Sequence, residues 1–114
     1  MTTETVTHTY TTSVTLSPRT PVRTTIALPV PENMHLLARG RTDFQARMDD
    51  APVSLSLSQA ALDALRARLR DAAFAGRNLL ELDVSGDVLT RTYRNARPGL
   101  TERVLDLATI HDPV

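Results

Sequence analysis

Arg91, Arg94 and Arg97 fall within seven residues that contain no acid, with Tyr93 among them and Arg103 shortly after. Guanidinium forks hold phosphate through paired hydrogen bonds and a tyrosine ring stacks on a base. Arg91, Tyr93, Arg94 and Arg97 are therefore candidates for nucleic-acid contact. Arg39, Arg41 and Arg47 form a second basic row, interrupted by Asp43, and the reading gains if strands place both rows on one sheet face. Against it stands the overall balance. Thirteen basic residues meet thirteen acidic ones for a formal net charge of zero, whereas a nucleic-acid module carries a clear basic excess. The segment 78–90 holds three acids and no base. It reads as the opposite arm of one hairpin with 91–97, the two runs neutralising each other.

The three histidines, His8, His35 and His111, show no HxH, HExxH or related spacing, so neither a metal nor another cofactor is expected. His8 shares an alternating face with Val6, Tyr10 and Val14, which suits a packed side chain. His111-Asp112 are sequence neighbours that point apart rather than a dyad. Asp49-Asp50, followed by Ala51-Pro52, reads first as a turn and only second as an acid–base or cation pair. Asp83-Val84-Ser85-Gly86-Asp87 lacks the glutamate and the glycine position of a calcium loop. Ser85 has no nucleophile elbow around it. An enzymatic site would need His8 or His35 to converge with Asp49 or Asp50.

Absences narrow the chemistry further. All thirteen basic residues are arginine, and the chain has no cysteine and no tryptophan. A Walker lysine, a Schiff-base amine, a thiolate nucleophile, an iron–sulfur cluster and a disulfide framework are thereby excluded. No apolar run approaches the roughly 20 residues that span a bilayer, and the threonine-rich residues 1–17 have neither the basic start nor the apolar centre of a signal peptide. A cytoplasmic protein, or a component of a virus particle or other assembly, is expected.

The elements that must position these residues follow from periodicity. A length of 114 residues suits one domain spanning 1–114. Residues 5–16 alternate Val6, His8, Tyr10, Val14 and Leu16 with hydroxyl residues, and Val22 to Val30 alternate likewise, predicting two strands joined as a hairpin around Ser17-Pro18-Arg19. Residues 34–48 alternate in the same way and read as a strand bent at Gly40, with a weaker helical pattern through Met34, Leu37, Phe44 and Met48. Val53, Leu55 and Leu57 give a fourth strand. A helix follows over 57–75, capped by Ser56 with Gln59 or by Ser58 and stopped by Gly76. Its stripe Ala61, Leu62, Leu65, Leu69, Ala72 and Ala73 should face the sheet. A second apolar face, Ala60, Ala64, Ala67 and Phe74, is left for a protein partner. Leu80 to Tyr93 read as a hairpin turning at Gly86. Pro98-Gly99 make another turn, and Leu100, Val104, Leu107 and Ala108 suggest a short C-terminal helix, with a strand over 104–110 as its rival.

The expected fold is α+β: a mainly antiparallel sheet of about six strands, one long helix packed on it and a short C-terminal helix. The expected function is that of a small non-enzymatic binding or assembly module, homo-oligomeric or part of a larger particle. Its contacts would come from the N-terminal hairpin and the Ala60/Ala64/Ala67/Phe74 face. Arginine-mediated nucleic-acid binding is the alternative and a small His/Asp enzyme the third possibility; no membrane partner is expected.

Overall fold

The computed structural model describes residues 14–93 and 100–111. The alternation of Val22, Thr24, Ile26 and Leu28 is realised in β2 (Thr20–Pro29), which buries Ile26 and Leu28 completely. Pro29 then ends the ladder and becomes the N-cap of α1 (Val30–Ala38), where Pro31 in the first turn loses no helical hydrogen bond and Glu32 faces the positive end of the dipole. The helix stops at Gly40, whose φ of 71° lets Gly40 N–H and Arg41 N–H bond back to the Leu37 and Leu36 carbonyls. The expected bent strand over 34–48 is thus a helix, a glycine stop and a short strand, β3 (Gln45–Met48).

Asp49 and Asp50 make the turn expected of them, both with positive φ (52° and 60°), as a two-residue hairpin of the twisted kind demands. They return the chain into β4 (Ala51–Leu57). Helix α2 (Gln59–Phe74) begins at Ser58, whose hydroxyl accepts from Ala61 N–H at 3.2 Å, so Ser58 and not Ser56 is the cap. It ends at Gly76 (φ 73°) with the same back-bonding as α1, from Gly76 to Ala73 and from Arg77 to Ala72. Ala61, Leu62, Leu65, Leu69 and Ala72 are buried, as the stripe predicts.

Two sequence expectations fail in the last third. β5 (Leu79–Tyr93) runs without a turn through Gly86, and β6 (Leu100–His111) is a strand, so there is no short C-terminal helix over its residues. β5 pairs antiparallel with β6 instead, and the turn expected at Pro98-Gly99 lies outside the described residues. Gly86 is instead required by close approach. A Cβ there would collide with the Asp106 carbonyl oxygen and stand 2.9 Å from its carbon, beside a register shift between Ser85 and Gly86.

The sheet is mixed and mostly antiparallel, ordered β1-β5-β2-β3-β4-β6, and β5 also pairs with β6, so the ladder β5-β2-β3-β4-β6 closes on itself. Its parallel pair is β4 with β6, from Ser54↔Val104 to Leu57↔Leu107, with α2 in the crossover. Inward residues of the strands and the α2 stripe form one core around Ile26, Leu28, Leu65, Leu69, Leu105 and Leu107. Among the described residues no helix is long and apolar enough to cross a membrane.

β1 (Val14–Leu16) does not pair with β2. Both lie along the same edge of β5, β1 at Arg91–Tyr93 and β2 at Leu79–Val88. Ser17 bridges the gap through its N–H to Thr90 O and its hydroxyl to Thr90 N–H. The proline and polar residues at 17–19 interrupt one edge strand rather than reverse it, which corrects the expected N-terminal hairpin for its described part.

Candidate functional site

β2 last pairs with β5 at Val88, and β4 first pairs with β6 at Val104. Beyond those points the β5–β6 ribbon continues with only β1 beside it, to Tyr93 and Leu100. Five strand residues carry this arm roughly 17 Å past the closed ladder. Residues directly opposite in antiparallel strands share a face. Val14, Tyr93 and Leu100 therefore form one row across three strands, and Leu16, Arg91 and Glu102 the next. Val14 and Leu100 are each 44% exposed and Leu16 58% exposed, so the arm presents an apolar row to solvent. Such a row on a narrow sheet is larger than the scattered single residues a surface ordinarily carries.

Glu102 organises that face. Its carboxylate accepts from Ser54 Oγ at 2.5 Å and from Tyr93 Oη at 2.9 Å, joining β4, β5 and β6. Those two hydroxyl hydrogen bonds, with the nearby Arg91 guanidinium, hold the carboxyl below the usual carboxylate range against a smaller opposing effect of burial. Further along the face Asp87 and Asp106 are cross-strand neighbours of like charge, and Arg19 reaches both, at 3.9 Å and 2.9 Å. This network was not foreseen from sequence. Ser54 lies 48 residues from Glu102, and only the strand register brings them together.

A cleft of about 810 Å³ opens beside the arm. β4 starts at Ala51 and β6 at Leu100, but their pairing starts only at Ser54↔Val104, so the two strands splay apart at their first residues. Phe44, Ala46, Val53 and Leu55 give the cleft an apolar lining, with Arg47, Ser54, Glu102 and Arg103 as its polar groups.

The residues singled out from sequence are placed as follows. Tyr93 donates to Glu102, and Arg91 stands opposite that acid in register, its charge near enough to stabilise the carboxylate, so the pair does not form a purely basic stacking platform; Arg94 and Arg97 lie outside the described residues. The acids of 81–87 lie on the same strand as Arg91, not on a facing arm. The second basic row is broken up: Arg39 caps α1, Arg41 is held by Asp43 through two hydrogen bonds (2.8 and 2.7 Å), and Arg47 lies on β3. Of the α2 face, Ala60 and Ala67 are exposed, Ala64 half-buried, and Phe74 97% exposed. Asp63 and Arg66 approach within 3.9 Å at the i,i+3 spacing. His8 lies outside the described residues. His35 sits exposed on α1, and Asp49 and Asp50 are spent on the β3–β4 turn, with no hydrogen bond joining them to His35 among the described residues. His111 Nε2 meets Ser85 Oγ at 3.0 Å. No group of three or more metal-ligating side chains occurs among the described residues. Comparisons with protein-family models, with curated proteins and with solved structures each return no match to this chain.

Proposed function

We propose that this chain is a non-enzymatic assembly module that associates with copies of itself through the face of its β1–β5–β6 arm. The observation that carries the reading is the exposed row Val14–Tyr93–Leu100 with Leu16 beside it. An extended sheet face of this kind is self-complementary about a two-fold axis, because each row meets its own copy. The neighbouring charges favour it. Arg91 and Glu102 compensate each other within one copy, so two identical faces meet without net repulsion at the apolar row. The β1 edge and the β6 residues ahead of Val104 add strand edges on which a further chain can register.

Light scattering at two protein concentrations tests the reading. A mass above the monomer that falls on dilution, and falls to the monomer in Leu16→Asp, is expected. A monomer at both concentrations refutes it. The alternative of nucleic-acid contact through Arg91, Tyr93, Arg94 and Arg97 predicts binding that weakens steeply with added salt.

A further inference from the structure

The apolar row of the arm does not use the lining of the splayed β4–β6 cleft, although the cleft borders the free β6 edge ahead of Val104. Its volume of about 810 Å³ falls in the range of small-molecule sites, which are mostly apolar with a few placed polar groups. The charges at its rim are unequal in availability. Asp43 is already held by Arg41 through both carboxylate oxygens, at 2.8 and 2.7 Å. Glu102 is likewise occupied, one oxygen by Ser54 and the other by Tyr93, with Arg91 opposite in register. Arg47 spends one nitrogen on the Asp50 carbonyl at 2.7 Å and, lying between buried Ala46 and Met48 on β3, projects from the opposite, outer face of the sheet. Arg103 makes no ion pair among the described residues and is half-buried. On the face that carries Val53 and Leu55, the cleft therefore combines an apolar lining with one guanidinium group, Arg103, in phase with the inward Leu105 and Leu107 and in no ion pair among the described residues.

We infer that the cleft between the splayed ends of β4 and β6 binds a small organic carboxylate, its apolar body along Leu55 and the rims of Phe44 and Val53 and its carboxylate on Arg103. A planar carboxylate matches the guanidinium fork, and the partly enclosed site strengthens the pair relative to open water. Cations are disfavoured by the same charge, and a neutral molecule of equal apolar surface gains only the lining.

The experiment is a two-dimensional NMR titration of the full chain with octanoate, octylammonium and octanol in parallel. Octanoate should move the amides of Phe44–Arg47, Val53–Leu55 and Thr101–Arg103, and bind about tenfold more tightly than octanol. Octylammonium should bind more weakly than octanol. Arg103→Gln should weaken octanoate about fivefold or more while leaving octanol unchanged, and Arg47→Gln, on the other face of the sheet, should leave octanoate unchanged, with thermal melts confirming that each variant is folded. Equal affinity for all three ligands overturns the inference, as does octanoate affinity indifferent to Arg103→Gln or lowered equally by Arg47→Gln. Shifts confined to the Val14–Tyr93–Leu100 row also overturn it, without bearing on self-association through the arm.

Discussion

Asn33 is the one polar side chain among the described residues that is fully buried, at 0% exposure. It joins α1 to the start of β3: its Nδ2 donates to Pro29 O at 2.8 Å and to Gln45 O at 2.9 Å, and its Oδ1 accepts from Gln45 N–H at 2.8 Å. Asn33→Ala removes all three bonds. Pro29, at the N-cap, keeps a role as acceptor for the first helical turn, so the orphaned groups are the N–H and C=O of Gln45. Two orphaned backbone groups would cost about 2–6 kcal/mol if fully sealed from water. The Gln45 residue as a whole is exposed, which admits water to part of the vacancy and brings the expected loss to about 2 kcal/mol. For a domain of this length that is a fall in Tm of roughly 8 °C. Asn33→Asp separates the hydrogen-bond account from simple packing. It keeps an acceptor for Gln45 N–H but sets a carboxyl against two carbonyl oxygens, which raises the folded-state pKa of that carboxyl above its unfolded value. Its stability contribution is then complete below the unfolded pKa and lost as pH rises through the folded one. Urea denaturation followed by circular dichroism should find Asn33→Asp less stable than Asn33→Ala at about pH 7, with the gap narrowing towards about pH 4. An alanine variant within about 0.5 kcal/mol of the parent, or an aspartate variant whose deficit ignores pH, would refute this account of the α1–β3 junction.

Gly86→Ala should destabilise the chain by more than about 3 kcal/mol or prevent folding, because the added methyl meets Asp106 and Leu107 backbone that no rotamer change can move; an unchanged urea midpoint would contradict it. Glu102→Gln should be less stable than the parent at neutral pH. The lowered folded-state pKa of Glu102 makes its contribution present above the ordinary carboxylate range and lost as pH falls through the lowered value. Denaturation curves of the two proteins should therefore converge on acidification, and a constant offset at every pH would count against the Ser54–Glu102–Tyr93 link. Phe74→Ser should leave Tm within about 1 °C of the parent, since that ring is 97% exposed and has little burial to lose. If the α2 face contributes to assembly, the same variant lowers the concentration-dependent mass by light scattering.

Helix α2 was legible because three independent signals agree on it: a 3.6-residue apolar stripe, a serine cap and a glycine stop. Helix α1 was not. Its N-cap is Pro29, which offers no side-chain acceptor, and its nine residues continue into a strand whose alternation disguises the join. Gly40 interrupts the pattern visibly, but it ends a helix rather than bending a strand. Gly86 carried the opposite ambiguity. A glycine required by a neighbouring backbone looks the same in sequence as one required by a turn, and the neighbour, Asp106, lies 20 residues on. In β6 the fold takes the rival strand reading of 104–110: Leu100, Val104, Leu107 and Ala108 match a helical period by coincidence, whereas Leu105 and Leu107 point inward and Glu102, Val104 and Asp106 lie on the other face. The candidate sites were the least legible part. Tyr93 and Arg91 stand out by residue type, yet Glu102, to which Tyr93 donates and which Arg91 faces in register, sits in a segment whose spacing reads as a helix.

The closed ladder also sets an order for biosynthesis. β6 is the last of these elements to be made, yet it supplies Leu105 and Leu107 to the centre of the core and pairs with both β4 and β5. A nascent chain ending anywhere before it displays β4 and β5 as two unpaired edges, with the apolar stripe of α2 incompletely covered. Contacts between β4 and β6, and between β2 and β5, join segments far apart in sequence, so their closure is slow compared with the formation of α2. Partly synthesised chains emerging side by side from one message would expose matching edges at the same time. For a chain proposed to assemble with itself, the period between translation of α2 and release of β6 is when correct partnering and aggregation compete most directly.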